Sequence, residues 1–89
     1  LYNLGILYSS EGMLDKAIEQ YQMAIKSNPY EIKIYMNLGV TFLKQGMPDN
    51  AIEQFRKALN LGTTLPEVHH NLGAAYLAKG LRSEAEAEF

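Results

Sequence analysis

Asn3, Asn37 and Asn71 stand 34 residues apart, and each is followed by Leu-Gly. An asparagine amide carries two N–H donors and an acceptor oxygen, so a row of them can pair with successive peptide units of an extended chain whatever its side chains. That is recognition chemistry, with no covalent bond made or broken. The other polar constellations offer less. His69 and His70 are adjacent, and neighbours on a helix point about 100° apart, so they cannot share an ion. Glu67 and His70, three apart, supply two ligands where a zinc site takes three or four. His69 is expected to sit half-buried at a packing position. Glu84, Glu86 and Glu88 alternate with alanines and spread around a helix as a solvated surface. With no activated nucleophile, no general acid–base pair, no phosphate-cradling loop and no metal set, neither catalysis nor a cofactor is expected of these residues.

A row with a fixed step requires a scaffold with the same step. Gly5/Gly12, Gly39/Gly46 and Gly73/Gly80 recur with that same period. Such a period means that one supersecondary unit has been copied and stacked. Stacked repeats build extended concave surfaces that bind other chains. Within the first unit Leu4, Leu7 and Tyr8, then Leu14, Ala17, Ile18, Tyr21, Ala24 and Ile25, fall at helical spacing. Each unit therefore reads as two amphipathic helices, broken at Gly12, Gly46 or Gly80, where a helix end needs a residue that tolerates positive φ.

The spacing predicts helices over about 1–11, 14–27, 31–45, 48–60, 66–79 and 82–89. Pro48 suits a first helical position. Met13, Met47 and Leu81 hold the places of N-capping residues, and their side chains are expected to pack at the turns. Asn28-Pro29 closes the first unit, because proline disfavours helical geometry in the residue before it. The second joint, Gly62 to Glu67, combines a glycine stop with a Thr64-to-Glu67 spacing that fits a capping box. Gly5, Gly39 and Gly73 lie mid-helix, where glycine costs about 1 kcal/mol relative to alanine. They are expected to pack against Ala17, Ala51 and Ala85, with Tyr8, Phe42, Tyr76, Tyr21, Phe55 and Phe89 filling the surrounding space.

Composition narrows the partners. The 89 residues are 47% apolar and 20% charged, with net charge -2 and no cysteine. No apolar stretch approaches the roughly 20 residues that span a bilayer, so no membrane partner is expected. Lysines and arginines are scattered singly, without the basic patch that phosphate neutralisation needs, so nucleic acid is not expected either. Cytoplasmic location is the default expectation, and the periplasm fits as well.

The pattern Asn-Leu-Gly, an aromatic three residues later, Gly, then Ala-Ile-Glu-Gln with an aromatic, then Ala, closed by Asn28-Pro29, resembles the tetratricopeptide repeat (TPR). The resemblance runs through the whole chain in one register without insertions. Tryptophan, frequent early in the first TPR helix, is replaced by Leu1, Tyr35 and His69, and the closing proline of the second unit is Thr63. The fold implied is an all-α solenoid of antiparallel helix pairs, about two and a half units in a right-handed superhelical array. Its units would be residues 1–31, 32–65 and 66–89 of a single domain. The opening at Leu1 and the stop at Phe89 in mid-helix suggest a piece of a longer array, or self-association through exposed end helices.

In TPR arrays the first helix of each pair lines the concave face, and the resemblance places a protein or peptide ligand there. The candidate groove residues are Asn3, Asn37 and Asn71 together with Tyr2, Ile6, Lys33, Met36, Val40, Leu43, Lys44, His70 and Leu77. The asparagine row is similar to the ladder inside the TPR superhelix of the O-linked N-acetylglucosamine transferases. A second TPR mode clamps a peptide's terminal carboxylate. Its positions hold Tyr2, Ile6, Asn37, Glu67 and Asn71, of which only Asn37 matches, and Glu67 would repel the carboxylate. The resemblance thus implies a non-catalytic interaction scaffold, with a substrate-recognition arm of a larger enzyme or a self-assembling unit as the other readings.

Overall fold

The computed structural model describes residues 2–80, and side chains from Asn3 onward. Five helices follow in chain order: α1 Tyr2–Ser10, α2 Leu14–Ser27, α3 Ile32–Lys44, α4 Pro48–Asn60 and α5 Pro66–Ala78. All regular structure among the described residues is helical. The expected helix over 82–89 lies outside them, as do Leu1, Leu81, Ala85, Phe89, the three alternating glutamates and the side chain of Tyr2.

The helices form where an apolar stripe recurs at 3.6-residue spacing. On α2 the buried stripe is Ala17, Tyr21 and Ala24. One period later α4 buries Ala51, Phe55 and Ala58 at the same steps. These helices carry one apolar stripe each, whereas α3 lies between α2 and α4 and buries Ile34, Tyr35, Leu38, Gly39, Thr41 and Phe42. Burying a Leu or Phe side chain is worth about 1.5–3 kcal/mol, so this sandwiched helix anchors the core.

The turns inside each pair are built alike. Gly12 and Gly46 have φ of 77° and 76°. Gly46 N–H donates to Leu43 O at 3.0 Å and Met47 N–H to Phe42 O at 2.9 Å, and Gly12 and Met13 bond to Ser9 and Tyr8 in the same way. This double bond pattern closes a helix on a left-handed residue, which only glycine adopts without steric cost. The carbonyls of Met13 and Met47 then accept from Ala17 and Ala51, opening the next helix. One residue thereby ends one helix through its N–H and starts another through its C=O. Met13 and Met47, expected to pack at these turns, are 38% and 40% exposed, so their side chains are covered in part while backbone bonds close the turns.

Three expectations are corrected. No capping box forms between Thr64 and Glu67; α5 starts from Leu65, and Thr63 Oγ1 accepts the Leu65 N–H at 3.1 Å. Pro66 holds the first helical position, and having no N–H it leaves one donor fewer to cap. At Gly5 and Gly39 the atoms nearest a would-be Cβ belong to aromatic rings rather than to alanines. A Cβ built on Gly5 would lie 2.7 Å from Tyr21 Cε1, and one on Gly39 2.5 Å from Phe55 Cε1. The large ring needs the missing side chain, while Ala17 and Ala51 are fully buried as well. Leu4, read from its helical spacing as part of an apolar face, is 38% exposed, although its counterparts Leu38 and Leu72 are buried. Leu38 has α2 and α4 on either side, whereas α1 packs against α2 and the flank of α3.

Candidate functional site

Curvature decides which face is concave. Among the described helices α1 touches α3 and α3 touches α5, while α2 and α4 do not touch. The first helices of the pairs therefore converge on the inner side of the array, and the second helices splay on the outer side. Asn3, Asn37 and Asn71 lie on α1, α3 and α5, one repeat apart. Asn3 is exposed, and Asn37 and Asn71 are half-buried.

Two depressions flank Asn37. The first, about 200 Å³ between α1 and α3, is lined by Ile6, Ser9, Ser10, Tyr21, Asn37, Val40, Thr41 and Lys44. The second, about 240 Å³, lies between α3 and the start of α5 and is lined by Lys33, Met36, Asn37, Leu65 and Glu67. The structure thus gathers Ile6, Asn37, Val40 and Lys44 in one hollow and Lys33, Met36 and Asn37 in the other. Asn3, Leu43, Asn71, His70 and Leu77 line neither. Asn3, His70 and Leu77 are exposed, and Leu43 is half-buried against the core. Two of the lining hydroxyls bond within their own helices: Thr41 Oγ1 donates to Asn37 O at 2.8 Å, and Ser10 Oγ donates to Leu7 O at 2.9 Å. The rest of the lining is mainly apolar wall, Ile6, Val40, Met36 and Leu65, with Asn37 shared by both hollows and Lys44, Lys33 and Glu67 beside them.

Sequence reasoning missed Ser10, Tyr21, Thr41 and Leu65. Tyr21 belongs to α2, yet it reaches the inner face because Gly5 leaves its ring a gap. The signal is the pairing of a mid-helix glycine with an aromatic on the partner helix. Leu65 is the one large apolar side chain in the otherwise small and polar stretch from Gly62 to Pro66.

The largest of these hollows, about 560 Å³, is on the other face between α2 and α4, with Tyr35, Leu38 and Phe42 as floor and Gln22, Lys26, Gln54 and Lys57 among its walls. It follows from the splaying of the second helices. Gln54 is buried, and its Oε1 meets no donor among the described residues. His69, expected half-buried, is exposed, since Val68 takes the inward place beside it. Among the described residues no three His, Asp or Glu side chains gather as a metal site, and no helix is long and apolar enough to cross a membrane.

A sequence profile described as TPR repeat matches residues 5–46 and 49–80, and one described as tetratricopeptide repeat matches 32–61. No curated protein matches the chain. Among solved structures, the crystal structure of MamA superposes with TM-score 0.93 at 32% identity, over 99% of this chain and 52% of that one. The chain thus spans about half the length of MamA. The second TPR domain of Spaghetti (RPAP3), bound to the HSP90 peptide SRMEEVD, superposes with TM-score 0.94 at 23% identity, over 99% of this chain and 82% of that one. The Yersinia enterocolitica type III secretion chaperone SycD, in complex with a peptide of the translocator YopD, gives 0.93 at 22%, over 98% and 66%. At those two identities the likeness is one of fold. With paired helices turning on Gly12 and Gly46, a 34-residue period and profile matches over most of its length, the chain belongs to the tetratricopeptide repeat family.

Proposed function

We propose that this chain is a protein-interaction module whose inner face, formed by α1, α3 and α5, holds a peptide segment of a partner. The observation that carries the reading is Asn37 on α3 with an apolar depression on either side, one repeat from Asn3 on α1 and Asn71 on α5. An amide row pairs with peptide units, and the depressions take side chains. The RPAP3 domain and SycD, each solved with a peptide, support a peptide guest for this fold. The carboxylate-clamp mode is not proposed, because Ile6 and Glu67 occupy positions where a cationic or amide group would be needed.

The test is a displayed random-peptide library selected against the chain. Selected peptides are expected to bind at least about tenfold more weakly when Asn3, Asn37 and Asn71 are all alanine, a loss of about 1.4 kcal/mol. The helical circular dichroism should be unchanged. Equal affinity for the folded triple variant would refute the reading.

A further inference from the structure

The hollow on the outer face, between α2 and α4, has no part in the peptide reading, yet one wall holds a polar group that the fold leaves unsatisfied. Gln54 is 8% exposed, and its Oε1 meets no donor among the described residues. A buried acceptor in that state costs stability. The hollow's charged residues are not a product of repetition either: one period away, Lys26 is replaced by Asn60 and Lys57 by Met23. The first two helix pairs alone carry this set.

At about 560 Å³ the hollow has the size that holds a small organic ligand, an apolar floor and a few polar groups on its walls. Two of the three floor residues, Tyr35 and Phe42, are aromatic, which suits a planar ring. The Tyr35 hydroxyl is already used, since it donates to Pro29 O. On the α4 wall Lys57 pairs with Glu53 at 3.3 Å, whereas Lys26 on the α2 wall has no carboxylate partner among the described residues. The geometry points to a small aromatic acid whose ring carries an N–H as the ligand of this hollow. Its ring lies on the α3 floor, its N–H donates to Gln54 Oε1, and its carboxylate faces Lys26. The last torsion of a glutamine is broad, so a partial turn of the amide brings that oxygen to the ligand without moving the stem. The two anchors stand on different helices. Binding therefore ties α2 to α4, which do not touch each other in the fold.

The test titrates the chain with indole-3-propionate and follows backbone amide shifts by NMR. Shifts are expected on the α2 and α4 residues that wall the hollow, and not at Asn37. 1-Methylindole-3-propionate, which lacks the N–H, should bind about tenfold more weakly. Indole-3-propanamide, which lacks the charge, should bind about threefold more weakly, because Lys26 is exposed. Gln54→Met keeps the length of the side chain and removes the acceptor, so it should bind the N–H and N-methyl probes alike and raise the melting temperature of the free chain. Lys26→Gln should erase the difference between acid and amide. If either variant loses its helical circular dichroism, the three probes on the unaltered chain still decide. Equal affinity there for the N–H and N-methyl probes, shifts centred on the inner-face depressions, or no shift at all would overturn the assignment. A folded Gln54→Met chain with a lowered melting temperature would show the acceptor satisfied within the fold, and would overturn it as well.

Discussion

Gly39 and Phe55 interlock: the ring of Phe55 occupies the place where any other residue at position 39 would carry its Cβ, 2.5 Å from Cε1. Gly5 and Tyr21 repeat the arrangement one period earlier. The seams of the two fully described helix pairs are thus closed by a ring set on bare backbone, which explains the mid-helix glycines Gly5 and Gly39 despite their propensity cost.

Gly39→Ala should therefore destabilise the fold although alanine is the better helix former. Overpacking costs about 1–3 kcal/mol, against about 1 kcal/mol of propensity gained. Adding Phe55→Leu should recover part of the loss. Thermal melts of the two variants decide it, and a Gly39→Ala protein as stable as the parent would show that the seam gives way.

Successive repeats are also joined by a periodic polar contact. Asp15 accepts from Gln45 Nε2, and one period on Lys79 Nζ lies 2.5 Å from Asp49 Oδ1. The second pair is solvent-exposed, so its coupling should be about 0.2–1 kcal/mol and fall with salt. A double-mutant cycle of Asp49→Asn and Lys79→Met is expected to lose most of its coupling between low and high salt. The Asp15–Gln45 cycle, with one neutral partner, should change less.

Leu4 and Leu38 hold the same place in their repeats but differ in burial, 38% exposed against 1%. Leu38→Ala should cost about 2–5 kcal/mol, as core truncations do. Leu4→Ala should cost well under half of that. Denaturant titrations giving equal losses would contradict the distinction.

Tyr35 Oη donates to Pro29 O at 2.7 Å, tying α3 to the joint between the first two pairs. Tyr35→Phe removes only the hydroxyl, so a loss of about 0.5–1.5 kcal/mol is expected. Hydrogen exchange should quicken around Asn28 to Glu31 more than in α4. An even change along the chain would argue against a local tie.

The period, the paired helices and the glycine turns were all legible in the residues, because they rest on local rules. Apolar spacing of 3.6 residues makes a helix wherever it occurs, and a left-handed turn calls for glycine at Gly12 and Gly46 whatever surrounds it. The places of Asn37, Val40 and Lys44 on one helix surface followed from the same periodicity. Only the tertiary structure decided that Gly39 faces Phe55 rather than Ala51, that Tyr21 passes through to the inner face, and that Leu65 walls the second depression. Each depends on the distance and angle between helices, and interhelical geometry is the joint result of many side chains filling one space. Helical repetition also treats Leu4 and Leu38 alike. Their different exposure comes from the helices on either side of them, which a residue's own segment does not encode.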